Sequence, residues 1–222
     1  MRFDAYKMSL TDSQACAAPF NFLVLTNMLT TMDKSCTDGV SSPDLLTGTT
    51  VRLWPYVPGV YGRDALYRVW RLMEDDGATK QAFWDEAYLE TGGDLASFVQ
   101  AFSATNKLLL MIERRDTKAL CGAFWVTQMV PGHQAFVGMW MQKGSRGRYS
   151  KEAARLALTY TFSTGQFRQL WALTPWSSAY ALCLRMGFMP TALLDEFCHW
   201  QNDYKNVWVL RLTKEAFDVS LS

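Results

Sequence analysis

Nine residues hold the clearest chemistry in this chain. Positions 142–150 read QKGSRGRYS and are followed by Lys151, so Lys143, Arg146, Arg148 and Lys151 gather around Gly144 and Gly147. Before them runs the apolar stretch 135–141, which reads as a strand; after them comes 151–162, which reads as a helix. A helix start exposes backbone N–H groups and the positive end of a dipole. Glycines let the backbone curl around a ligand with no Cβ in the way, and the four cations add charge at the same place. That combination suits a diphosphate. The segment is not a Walker motif, so a solvated basic turn stays open beside the anion reading.

Around this segment stands ordinary globular composition. The 222 residues are 49% hydrophobic and 19% charged, and 22 Lys+Arg against 21 Asp+Glu leave a net charge of +1. No whole-chain field draws the protein to nucleic acid or anionic lipid. Five cysteines with no CxxC pair, Cys16, Cys36, Cys121, Cys183 and Cys198, point to free thiols in a reducing cytoplasm. Two distant histidines, His133 and His199, supply no metal set. The most apolar stretch, 20–32, is too short and too polar to span a bilayer.

The elements that must position the loop follow from periodicity and punctuation. A strand is expected over 49–56, and helices over 63–75 (Leu66, Val69, Trp70 and Met73 on one face), over 80–88, and after Asp94 with Leu95, Phe98, Val99 and Phe102. Strands at 107–114, 119–130 and 135–141 form an antiparallel meander. After the helix at 151–162, which Gly165 ends, come a strand at 167–173, a helix at 176–186, and strands at 188–194 and 206–212. The order gives a mixed α/β (α+β) domain over 49–222 with an N-terminal extension over 1–48. The apolar segment of that extension packs on the body, on a partner chain or on a second copy. Of the nine tryptophans, Trp70, Trp84, Trp125, Trp140, Trp171 and Trp208 read as core, while Trp54, Trp176 and Trp200 fall at element ends where a groove forms.

Three stretches carry a resemblance. RGRYSKEAARLALTYTF at 146–162, RQLWALTP at 168–175 and AYALCLRMGF at 179–188 resemble the Gcn5-related N-acetyltransferase (GNAT) superfamily, and most of all its branch that acetylates ribosomal-protein N-termini. The resemblance spans roughly 49–212 and is strongest over 119–190. It implies a GNAT-like, mostly antiparallel sheet flanked by helices, with acetyl-CoA or another acyl-CoA as co-substrate, an amine acceptor and no metal. Strands 136–141 and 167–173 would splay, exposing the backbone of Met139, Trp140 and Met141 to the pantetheine arm. The pyrophosphate would sit on Arg146, Gly147, Arg148, Tyr149, Ser150 and Lys151, with helix 176–186 beside the pantetheine. The chain departs from the family loop: counted from Arg146, its glycine positions hold Tyr149 and Lys151. Where the family often has the tyrosine that protonates the leaving thiolate stands Cys183, with Tyr180 one turn earlier as the alternative acid. Both also read as packing residues. For the base, Glu113, His133, Asp195, Glu196 and His199 have the chemistry without a signature spacing, and an ordered water serves equally. Of these, His199, within Cys198-His199-Trp200, is the catalytic candidate, and His133, in a Pro-Gly-His turn, reads as surface.

Three functions remain open on the sequence: an N-acyltransferase acting on a small molecule or protein amine; a non-catalytic, interaction or virion-type protein on the same fold; and a phage-type enzyme that modifies DNA bases.

Overall fold

The computed structural model describes residues 46–56, 63–78, 95–103, 107–165, 167–200 and 202–221. The expected helix at 80–88 and the apolar segment 20–32 lie outside the described residues, as does all of the extension except 46–48. The elements are β1 (Val51–Pro55), α1 (Arg63–Asp75), α2 (Leu95–Ser103), β2 (Leu108–Arg114), β3 (Leu120–Val130), β4 (Gln134–Met141), a 3-10 turn (Lys143–Ser145), α3 (Arg148–Gly165), β5 (Gln169–Thr174), α4 (Ser177–Arg185), β6 (Met189–Trp200), β7 (Asp203–Thr213) and α5 (Lys214–Leu221).

The strands form one seven-stranded sheet in the order β1-β2-β3-β4-β5-β7-β6. Every neighbouring pair is antiparallel except β4 and β5. Two layers of side chains bury its faces. Leu66, Val69, Trp70 and Met73 of α1 and Phe98 and Phe102 of α2 pack on Leu109, Met111, Ala123, Trp125 and Trp140. On the other face Ala153, Ala154, Ala157 and Leu158 of α3 and Phe217 of α5 pack on Leu110, Ile112, Phe124, Leu170 and Leu210. Cys121 is an extra residue in β3: Glu113 pairs with Leu120 and Ile112 with Gly122. This bulge places Cys121 on the α3 side, the face that Phe124 also lines.

Three boundaries differ from the sequence reading. The site helix begins at Arg148, three residues earlier than expected, and runs through Gly165. The last hairpin is longer at both strands, and α5 was not expected at all. Among its described side chains one large one is buried, Phe217, against Phe162 at 5.4 Å, too weak a period for the sequence to show. Leu46 is buried in the main core and its carbonyl accepts from Leu53 N–H, so 46–48 pack with the sheet. Among the described residues, no helix is long and apolar enough to cross a membrane.

Candidate active site

The parallel pair decides the architecture of the site. β4 and β5 hold register at only three positions, Gln134–Gln169, Ala135–Leu170 and Phe136–Trp171. Beyond them β4 continues to Met141 and β5 to Thr174 without pairing to each other. Between the diverging strands, reaching from α3 on one face of the sheet to Trp125 on the other, lies a cleft of about 730 Å³, mouth included. Val137, Gly138 and Met139 form one wall, Ala172, Leu173 and Thr174 the other, and Ala154 and Leu158 of α3 also line it. Trp176, Ala179, Leu182, Cys183 and Met186 complete it. These last five recur at three- and four-residue steps, so one face of α4 fronts the cleft.

Small residues keep this space open. Ala154, Ala172 and Ala179 add little volume. Gly138 is covered by the indole of Trp125, its direct cross-strand neighbour; a Cβ there would collide with the ring. The Trp125 indole therefore rests directly on the β4 backbone where the strands part.

At the end of β4 the chain turns through the 3-10 segment into α3. Gly147 has φ +87°, left-handed backbone that a side chain would strain, with no atom within 4 Å of a would-be Cβ. Among the described residues, the N–H groups of Gly147, Arg148, Tyr149 and Ser150 donate to no protein acceptor, and the first helical bond is Lys151 N–H to Gly147 O at 3.2 Å. Four convergent donors at the start of an 18-residue helix are what an anion needs. The charges around them divide. Arg146 donates through Nε to Met141 O at 3.2 Å and pairs with Asp76 at 3.6 Å. Arg114 is tied to Asp116 by two hydrogen bonds, of 3.0 and 2.7 Å. The Tyr149 ring is flanked by the guanidinium groups of Arg114 and Arg148, 5.1 and 5.0 Å from its centroid. Among the described residues, Lys143, Arg148 and Lys151 have no ion-pair partner. Their charge remains available to a bound anion.

Glu152 fixes the same helix to the first strand. Its carboxylate accepts from Thr50 N–H at 2.9 Å, and from Thr49 N–H and the Thr50 hydroxyl. Burial pushes this carboxyl up, but the hydrogen bonds from Thr50, Thr49 and Val51 outweigh it and hold its pKa below the usual range.

The structure distributes the expected site residues unevenly. Met139 lines the cleft. Met141 is buried against the α3 side and offers its carbonyl to Arg146. Trp140 points to the opposite face, into the α1/α2 layer, where its buried Nε1–H has no partner among the described residues; only its backbone belongs to the open strand. Ser150 is buried and Lys151 exposed. Cys183 lines the cleft, and burial pushes its thiol up to about 12. Tyr180 is turned about 100° around α4 from Ala179. Its ring lies on Trp208, 4.9 Å away, outside the cleft lining. His199 is exposed on β6 beside Tyr204, at 5.0 Å. Strand alternation turns it away from its neighbour Trp200, whose ring meets Trp176 edge-on at 5.3 Å. His133 is exposed in the β3–β4 turn, at the other end of β4 from the anion loop, roughly 23 Å along the strand.

Two groups of site residues escaped the sequence reading. Gly138, Ala154, Ala172 and Ala179 look like ordinary core until the strands are seen to part. Asp76 had a signal: Glu74, Asp75 and Asp76 end α1 with no basic residue in its last turn, the unfavourable end of the dipole for carboxylates.

No protein-family model and no curated protein sequence matches the chain. Solved structures do match in fold. A spermidine N-acetyltransferase chimera built from the Vibrio cholerae enzyme is 15% identical, covers 76% of this chain and 98% of its own, and has a TM-score of 0.62. A probable GNAT-family acetyltransferase from Chromobacterium violaceum is 18% identical, covers 81% and 91%, and scores 0.61. A ribosomal L7/L12 α-N-protein acetyltransferase in complex with coenzyme A is 12% identical, covers 76% and 97%, and scores 0.61. At these identities the likeness is one of fold: the chain has the GNAT fold, as its loop and helix motifs implied.

Proposed function

We propose that the protein is an acyl-CoA-dependent N-acyltransferase that moves an acetyl group directly to an amine. The observation that carries this reading is the parallel β4/β5 pair that separates after three positions into a cleft reaching Ala154, one turn beyond the four unpartnered N–H groups at the start of α3. A long ligand with an amide-bearing arm and a diphosphate fits both features. The unpaired edges of β4 and β5 offer hydrogen-bond partners to amides, the N terminus of α3 takes the diphosphate, and Lys143, Arg148 and Lys151 add charge. The solved neighbours support the chemistry: one is named for spermidine acetylation, another for a protein N terminus, and the latter holds coenzyme A. The open cleft favours catalysis over the interaction-protein reading, because a fold kept only for docking has no need of a channel lined by small side chains.

Acyl-CoA supplies an activated thioester. The chain's part is to hold that carbonyl between the strands, out of bulk water, with a β4 N–H to polarise it. The attacking amine enters past Trp176 and Trp200 and loses its proton to a water at the mouth. None of the titratable groups considered for the base lines the cleft. The leaving group, a thiol of ordinary pKa, departs as the thiolate and is protonated later in solvent, so it needs neither Cys183, whose thiol burial pushes up to about 12, nor Tyr180, which faces Trp208. No covalent enzyme intermediate is needed.

The test is calorimetric titration with acetyl-CoA, with adenosine diphosphate as competitor and Ala179→Trp as a plugged control. Micromolar binding that the plug abolishes, in a variant with an unchanged melting temperature, supports the reading. No heat at millimolar acetyl-CoA with the wild type refutes it.

A further inference from the structure

The geometry points to Asp76 as a positioning residue for the anion loop, acting through the backbone of Lys143 and the side chain of Arg146; this rests on the acyl-CoA reading above. Asp76 follows the last residue of α1 on the chain, yet its carboxylate serves another element. It accepts the Lys143 N–H at 3.2 and 3.3 Å from its two oxygens, and it pairs with Arg146 at 3.6 Å. Its side chain is 8% exposed, while that of Arg146 is 50% exposed.

This placement is energetically odd unless the loop needs it. Glu74, Asp75 and Asp76 crowd the C-terminal end of α1, where the helix dipole opposes negative charge. A nearly buried carboxylate there must be matched, and the loop matches it with one N–H and one guanidinium. Gly77 (φ +61°) ends α1 and fixes where the carboxylate stands, with Ala78 N–H returning to Met73 O at 2.8 Å. Arg146 closes the arrangement by reaching back to Met141 O, so the loop is pinned at its entry, at its turn and to α1. The residues just beyond this pin, Gly147 to Ser150, carry the four unpartnered N–H groups.

Two effects of removing Asp76 oppose each other. Arg146 would be released from its counter-charge and attract an anion more strongly. The Lys143 backbone would lose its acceptor, and the N–H groups downstream would lose their fixed direction. Arg146 is half exposed and screened by solvent, so the charge effect is small. Donors that must be reordered on binding weaken a phosphate site more, so the positional effect wins.

The test compares coenzyme A with pantetheine, which lacks the diphosphate, in the full chain. Trp125 and Trp176 line the cleft, so their fluorescence reports occupancy by either ligand. Asp76→Ala is expected to weaken coenzyme A about tenfold and to leave pantetheine unchanged. Asp76→Asn, whose amide oxygen still accepts from Lys143, is expected to recover most of that and weaken coenzyme A about threefold. Should Asp76→Ala fail to fold, Asp76→Glu carries the comparison, with an expected loss of about fivefold for coenzyme A alone. Wild-type affinity for coenzyme A in these variants, or an equal loss for both ligands, overturns the positioning role. A wild type that binds neither ligand overturns the acyl-CoA reading, and this inference with it.

Discussion

Replacing Cys183 with alanine separates two accounts of how the leaving thiolate is protonated. The side chain lines the cleft, where a proton donor belongs, and burial pushes its thiol up to about 12. A thiol leaving group in water titrates near about 8.5, so proton transfer from Cys183 runs uphill by roughly 3.5 units, or about 5 kcal/mol at 1.36 kcal/mol per unit. A leaving group of that ordinary pKa departs as the thiolate without an acid's help, so a donor at that disadvantage adds nothing to the rate. The expected kcat of Cys183→Ala is therefore within about twofold of wild type, measured as thiol release from acetyl-CoA with a polyamine and a peptide amine as acceptors. A second measurement needs no acceptor. At pH 8 a thiol with a pKa of about 12 is ionised to about one part in ten thousand, against roughly a quarter for a free cysteine. Alkylation of Cys183 by iodoacetamide, followed by mass spectrometry of its peptide, should run on the order of a thousandfold slower than that of free cysteine. A tenfold fall in kcat at unchanged acetyl-CoA affinity, or alkylation at the rate of a free thiol, would refute this reasoning.

Other outcomes follow from the same geometry. Cys121 and Cys183 both have thiols raised by burial, to about 11 and about 12, so the unfolded chain loses these protons first as the pH rises. Their stabilising contribution is complete below about pH 8.5, and above that stability should fall by roughly 1.4 kcal/mol per pH unit for each thiol; a Cys121→Ala/Cys183→Ala chain whose denaturation midpoint shows the same alkaline slope would contradict this. The Glu152 carboxyl is held low, so its contribution is present above the ordinary carboxylate range and lost as pH falls through its lowered value. Glu152→Gln should cost about 1–2 kcal/mol at pH 7 in urea denaturation, and progressively less as the pH falls below the ordinary carboxylate range. Gly147→Val should lower coenzyme A affinity and cost about 1–2 kcal/mol of stability from backbone strain rather than collision, with Gly147→Asn milder; equal stabilities would show that the left-handed turn does not persist in solution. Gly138→Ala should cost more, about 1–3 kcal/mol, since the Trp125 indole must move, and should quench or shift the indole emission.

The order of elements was legible because each was locally encoded. Leu66, Val69, Trp70 and Met73 at three- and four-residue steps gave α1 to the residue, and the run through Met141 followed by Gly144, Gly147 and four cations marked a strand-to-helix turn whose donors and charge suit an anion. Short-range physics, apolar periodicity and glycine freedom, suffices for such features. Their roles were decided by pairs distant in sequence. Whether β4 and β5 zip or part depends on contacts 35 residues apart, between Gln134 and Gln169, and on the small residues that leave the gap unfilled. Arg146 reads as a pyrophosphate ligand, and only the fold shows that α1 also brings Asp76 to it across 70 positions. His199 and Tyr180 carry suitable groups, but strand alternation and helix phase against Trp208 turn them out of the cleft. Cys183 reaches the cleft, where loss of water raises its thiol to about 12. A residue's type is local, whereas its direction, solvation and partner depend on whatever packs over it, and that is set only when the sheet closes and the helices settle on its two faces.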